Sequence, residues 1–196
     1  MTFKQWMISQ FGRPRGVGGR VSGWVMAHRG SNRQRNRWVV SLLDVGPDDR
    51  VLEIGFGPGV ALAELAQRSR HVHGIDHSDL MVRRARKRLG ERVTVTCTSV
   101  ARLPDFAEKL DVVLAVNSIG FWPEPADRLR ELRERLRPGG RIALATQPRC
   151  PGVTTDAAGE QLRTLLTESG FTDLRTEHLT LTPAVVCVIA ATPNTP

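Results

Sequence analysis

The sequence predicts an α/β protein: a mostly parallel seven-stranded sheet with helices on both faces, ending in an antiparallel C-terminal hairpin and preceded by an N-terminal helical arm. Three observations carry this. Short, near-continuous apolar runs alternate with helix-period segments between residues 44 and 150, the pattern of parallel strands buried on both faces. The first run ends in a glycine-rich turn, Gly55-Phe56-Gly57-Pro58-Gly59. Only residues 180–183 separate the last two runs, and four residues can close a hairpin but cannot carry a parallel crossover.

Taken in order, residues 1–43 form an arm of short helical pieces broken by Gly12, Gly16, Gly18, Gly19, Gly23 and Gly30. Its last piece, 32–43, reads as a helix with Trp38, Val39, Leu42 and Leu43 on an apolar face. Residues 44–196 form the main domain. Strands are expected at 51–55, 71–75, 93–97, 111–116 and 141–146, and helices at 60–68, 80–89 and 125–136. Beyond residue 150 the character changes. A helix at 156–169 is followed by strands at 172–178 and 184–191, and residues 192–196 read as a frayed tail.

The chain has 196 residues, 40% of them hydrophobic, which favours one domain around a single sizeable core. No apolar run approaches the ~20 residues of a membrane span, and the N-terminus lacks a signal-peptide core. A soluble, cytoplasmic protein is expected, of open oligomeric state. Cys97, Cys150 and Cys187 show no metal-ligand spacing, so no metal is expected. Cys97 and Cys187 read as small buried hydrophobes in strands. The net charge of +8 is uneven: residues 1–43 hold Lys4, Arg13, Arg15, Arg20, Arg29, Arg33, Arg35 and Arg37 and no acid. That arm is a solvated cationic surface or a contact for an anionic substrate, a cofactor carboxylate or nucleic acid.

The turn after the first strand is the most informative stretch. Glycines at 55, 57 and 59 let the backbone turn sharply and approach a ligand closely. Glu53 stands two residues before the first glycine, and the rhythm is G-x-G-x-G, not G-x-G-x-x-G. That combination points to S-adenosylmethionine more than to a dinucleotide.

At this point the chain resembles the class I S-adenosylmethionine-dependent methyltransferases, in particular the small, single-domain, ubiquinone-methyltransferase-like group with a Rossmann-like sheet. The resemblance covers about residues 35–178 and rests on VLEIGFGPG at 51–59, GIDHSDLM at 74–81, TSVARLP at 98–104, DVVLAVNSIGFW at 111–122 and LRELRERLRPGGRIAL at 129–144. It implies S-adenosylmethionine as cofactor and S-adenosylhomocysteine as product. It also implies a cofactor site at Glu53, Gly55, Phe56, Gly57, Gly59, Asp76, His77, Met81, Ser99, Val100, Ala101, Asn117 and Ser118. Asp76 ends the second strand, where a carboxylate can accept from both ribose hydroxyls or cap the helix that starts near Ser78. Relatives usually carry an acid where this chain has Ser99, which can accept one hydrogen bond from adenine without charge. Met81 suits the adenine wall or plain core packing.

Asn117 and Ser118 end the fourth strand and are expected to face the transferred methyl. The sequence there, Asn117-Ser118-Ile119-Gly120, lacks the Pro-Pro-aromatic clamp of base-amino methyltransferases. No cysteine lies in this strand or its following loop, which disfavours a cysteine-nucleophile C5 mechanism. The expected acceptor is a small molecule with an oxygen, nitrogen or carbon nucleophile. Methyl transfer chiefly needs acceptor and methyl in line in a dry site. A base helps only a neutral acceptor, and His28, His77 and His178 are candidates. The stretch between the 141–146 strand and the next helix is short, so the arm is the expected lid. Trp24, Met26, Asn32 and Asn36 are candidate substrate contacts, and Trp122 is a candidate wall or a packing residue. Three readings compete: an RNA-binding or RNA-modifying protein using the basic arm, a cofactor-binding regulator without catalysis, and an NAD-dependent oxidoreductase.

Overall fold

The computed structural model describes residues 29–149 and 152–194. Within them the strands are β1 (Arg50–Ile54), β2 (His71–Asp76), β3 (Thr94–Cys97), β4 (Leu110–Val116), β5 (Leu136–Thr146), β6 (Thr172–Leu179) and β7 (Val185–Ala191). The helices are α1 (Arg29–Ser41), α2 (Val60–Leu65), α3 (Asp79–Leu89), α4 (Pro125–Arg135) and α5 (Thr155–Glu168). All seven strands join one sheet in the order β3-β2-β1-β4-β5-β7-β6. β1 to β5 run parallel, and β7 is antiparallel to both neighbours.

The chain steps outward from β1 to the β3 edge, then returns to lay β4 on the other side of β1. That reversal opens a crevice beyond the carboxyl ends of β1 and β4, the place where open α/β sheets bind ligands. Strand residues alternate between the two faces. Val51, Val112 and Leu114 pack with Val39, Val40, Leu43, Leu62, Leu65 and Val82 from α1, α2, α3 and the residues just after α1. Leu52, Val113 and Ala115 pack with Leu129 and Leu132 of α4 and Leu162 and Leu166 of α5. Burying each such leucine contributes roughly 1.5–3 kcal/mol, so the sheet is held from both sides.

Three expectations are corrected. β5 begins at Leu136, not 141, because Leu136 pairs with Leu110 and the Gly140 carbonyl accepts from the Thr192 amide at 2.9 Å. The tail is therefore not frayed at its start. Thr192 is buried, and its hydroxyl donates to the Arg137 carbonyl at 2.6 Å; Thr195 and Pro196 lie outside the described residues. Cys97 is exposed while Cys187 is buried, because Cys97 ends an edge strand. Burial pushes the Cys187 thiol up. Cys150 lies outside the described residues, and no described helix is long and apolar enough to cross a membrane.

Candidate active site

β1 delivers the glycine turn to the crevice. At Gly55 (φ 72°) a Cβ would stand 2.5 Å from the Ser118 Cβ, so the turn and the end of β4 are in direct contact. At Gly57 (φ 50°) a Cβ would meet nothing within 4 Å. The turn therefore presents bare backbone to open space at its middle glycine.

Asp76 fixes that turn. Its side chain is buried, Oδ2 accepts from the Gly57 amide at 2.8 Å, and Oδ1 accepts from the Ser78 amide at 2.8 Å. The helix-start contact considered for Asp76 is thus present, and each oxygen keeps a second lone pair. His77 follows on an exposed side chain, with Nδ1 3.7 Å from Asp76 Oδ1. The Thr98 amide donates to the Asp76 carbonyl at 3.0 Å, which brings the 99–101 turn beside the same strand end. Ser99 and Ala101 are exposed there and Val100 is buried.

Glu53 lies under the turn with only 2% of its surface exposed. It accepts from the Leu62 amide, and burial, assisted by the Asp76 charge, raises its carboxyl to about 8. Its Oε2 has no hydrogen-bond partner among the described residues. The Arg88 guanidinium donates to the Gly59 carbonyl at 2.6 Å and opposes that rise. Nothing in the sequence set Arg88 apart from the other cations of α3.

On the other flank, Ser118 is buried and donates to the Ile54 carbonyl at 2.6 Å. Its hydroxyl joins β4 to β1 beneath the turn, and this corrects the expectation that it faces the methyl. Asn117, at φ 55°, accepts from the Gln147 amide at 2.8 Å. Gln147 Oε1 accepts from Arg35 at 2.7 Å and from Arg149 at 2.9 Å. Asn32 and Asn36 belong to this cluster: Asn36 Nδ2 donates to the Asn32 carbonyl at 2.7 Å, and Asn32 Oδ1 accepts from Arg35 at 2.5 Å. Sequence reasoning missed Gln147 and Arg149, which carry no spacing signal, and read Arg35 only as one cation of the basic arm.

Other candidates move away from the crevice. Phe56 is buried in the core beside Leu62, within 2.8 Å of where a Gly74 Cβ would stand, so only its backbone belongs to the turn. Met81 packs partly buried against the same core. Trp122 is buried with Leu129 and Leu132, which makes it a packing residue and not a wall. His178 stands on edge strand β6, with Nε2 3.4 Å from Asp156 Oδ1. β6 lies three strands from β4, roughly 14 Å at ~4.8 Å per strand, because β7 inserts between β5 and β6. His178 is thereby removed from the crevice. Trp24, Met26 and His28 lie outside the described residues. A hollow of about 330 Å³ lined by Leu42, Leu43, Arg141 and Arg175 sits at the opposite, amino-terminal ends of the strands. Among the described residues, no group of three or more His, Cys, Asp and Glu side chains is placed to hold a metal.

Comparison with known proteins agrees with this geometry. A family profile described as "Methyltransferase domain" matches residues 51–140, from β1 into β5. The uncharacterized methyltransferase YdaC of Bacillus subtilis is 30% identical over 182 residues, covering 89% of this chain and 99% of that protein. The ubiquinone biosynthesis O-methyltransferase of Marinobacter nauticus is 32% identical over 108 residues, 52% of this chain and only 45% of that longer protein. Among solved structures, the N-methyltransferase NodS of Bradyrhizobium japonicum, in complex with S-adenosylhomocysteine, superimposes with a TM-score of 0.68 at 18% identity, over 82% of this chain and 87% of that one. The match to YdaC along nearly the whole of both chains, with a profile that runs from the glycine turn into β5, establishes that this chain belongs to the class I S-adenosylmethionine-dependent methyltransferase family.

Proposed function

We propose that this methyltransferase acts on a small-molecule acceptor by in-line displacement and works mainly by positioning. The observation that supports this best is the open space at Gly57 beside buried Asp76. The residues present fit the cofactor. Gly57 leaves room where any Cβ would stand, Asp76 retains a lone pair on each oxygen for ribose hydroxyls, and the orphaned Glu53 oxygen suits an ammonium group. When bound, the cofactor supplies a methyl already activated on sulfonium. The chain's own residues bind and align. Gly55, Gly57 and Gly59 cradle the amino-acid portion, and Asp76 orients the ribose. His77, Ser99, Val100 and Ala101 flank the base, and Asn117 borders the acceptor side. With His178 at the far edge of the sheet and His77 given to the adenine side beside Asp76, we assign no general base among the described residues. An acceptor that arrives as a good nucleophile needs none.

Asp76→Ala is expected to weaken S-adenosylhomocysteine binding by about 1–3 kcal/mol, the scale of hydrogen bonds to a charged group, as measured by calorimetry. Unchanged affinity removes Asp76 from the site, and tighter binding of NAD by the parent protein overturns the cofactor reading. Incubating the protein with a metabolite extract and labelled S-adenosylmethionine identifies the acceptor through its labelled product.

The connection after β5 is short, so we assign the lid to residues 1–30. Deleting them is expected to leave a folded core that binds cofactor without transferring methyl. A lid works by packing and water exclusion, so catalysis on a neutral acceptor should be nearly independent of salt. Full activity after deletion sinks the lid. So does tight RNA binding that vanishes with the arm and falls with salt at a log–log slope near −0.7 per phosphate.

A further inference from the structure

Building on the methyltransferase reading, we propose that Arg88 of α3 is a positioning residue of the cofactor site: its guanidinium holds the carboxyl-terminal end of the glycine turn and sets a fixed positive charge against buried Glu53.

The turn is held along its length. Gly55 packs on Ser118, the Gly57 amide donates to Asp76 at 2.8 Å, and the Gly59 carbonyl accepts from Arg88 Nη2 at 2.6 Å. The same carbonyl accepts from the Ala63 amide at 3.2 Å and so opens α2. Arg88 therefore ties α3 to the joint between turn and helix. The contact is close, because a Cβ at Gly59 (φ 69°) would stand 2.9 Å from Arg88 Nη2.

The periodicity of α3 explains why this arginine reaches the turn. Val82, Ala85 and Leu89 form the buried stripe of the helix, and Arg88, three residues beyond Ala85, stands at the margin of that stripe. Arg83 is given to Asp79 instead, and Arg86 to the Val95 carbonyl. Arg88 forms no ion pair among the described residues, so no carboxylate at contact distance neutralises its charge.

That charge matters because of what surrounds Glu53. Burial raises its carboxyl to about 8, the bond from the Leu62 amide opposes the rise, the Asp76 charge adds to it and the Arg88 charge opposes it. Other ionisable groups on the neighbouring elements are paired or turned outward. Glu64 of α2 pairs with Arg37 of α1 at 2.7 Å, and Asp79 of α3 pairs with Arg83. His77 is exposed, 3.7 Å from Asp76 Oδ1. β4 meets the turn through the neutral hydroxyl of Ser118. Arg88 is thus the one cation acting on Glu53 among the described residues. It favours the carboxylate that a cofactor ammonium would meet, and so extends toward lower pH the range in which the site is charged for binding. Arg88 is exposed, and water screens part of the effect, so a change of a few-fold is expected and not one of orders of magnitude.

The test compares the intact parent protein with Arg88→Lys and Arg88→Gln. The Glu53 carboxyl is followed in the free protein by its ¹³C resonance, assigned with Glu53→Gln, and S-adenosylhomocysteine binding is measured by calorimetry from pH 6 to 9. Arg88→Gln is expected to move the Glu53 midpoint upward from about 8. It should weaken binding about threefold more at pH 7 than at pH 9. Arg88→Lys keeps the charge, so the midpoint should stay where the parent has it, and any loss of affinity should be the same at every pH. In a Glu53→Gln background, Arg88→Gln should weaken binding equally at pH 7 and pH 9, which separates Glu53 from His77. An unmoved Glu53 midpoint in Arg88→Gln, or a loss of affinity equal at every pH, overturns the proposal and leaves Arg88 as a brace of the turn alone. A midpoint that moves as far in Arg88→Lys as in Arg88→Gln overturns it too. Failure of the parent to bind S-adenosylhomocysteine removes the cofactor reading, and this role with it, whatever the midpoint does.

Discussion

Gly57→Val is expected to lower S-adenosylhomocysteine affinity at least about a hundredfold, ~3 kcal/mol, while the protein still folds. The new side chain would occupy the space that the turn keeps open, since a Cβ at Gly57 meets no protein atom within 4 Å. Positive φ adds a complication, because a β-branched residue is strained at 50° wherever it sits. Gly90 separates the two effects. It has φ 57° and an equally empty Cβ position, but it lies at the end of α3, away from the crevice. Gly90→Val should lose thermal stability comparably and keep its affinity for S-adenosylhomocysteine. Equal affinity in both variants would show that the turn is not the cradle.

The contrast between these two glycines also marks what the sequence could and could not show. β1 to β4 were legible because strands buried on both faces read as apolar runs, and Val51, Leu52, Val112 and Val113 each meet a core. The early start of β5 was not, because the partners of Leu136 and Gly140 are Leu110 and Thr192, brought together only by the sheet. The same division runs through the site. Glu53, the glycines and Asp76 act through local spacing along two neighbouring strands. The Arg35–Gln147 bond spans 112 positions, and nothing local announces it. Phe56, Ser118 and Trp122 lay in motif segments, and only three-dimensional burial showed that their side chains serve the core or the strand–turn join. The position of His178 turned on strand order: insertion of β7 beside β5 carries β6, and the histidine with it, to the far edge.

Binding of S-adenosylhomocysteine near pH 7 is expected to release a proton, and Glu53 is its source. Burial first, and the Asp76 charge after it, hold the Glu53 carboxyl at about 8 in the free protein, so at pH 7 it is mostly protonated. A cofactor ammonium set against the orphaned Oε2 would favour the carboxylate and expel that proton. Affinity should therefore rise from pH 6 to about 8 and then level off. The calorimetric enthalpy at pH 7 should vary with the ionisation enthalpy of the buffer, with a slope approaching one proton, and that variation should vanish by pH 9. The stability of the free protein should move the opposite way. An acid whose folded value lies above its usual 4.5 binds its proton more tightly when folded. Its contribution is complete below about pH 4.5 and is lost as pH rises through about 8. Glu53→Gln should flatten both profiles. Binding without proton exchange at pH 7 would mean that the carboxyl does not meet the cofactor's charge and serves only the turn through its bond to the Leu62 amide.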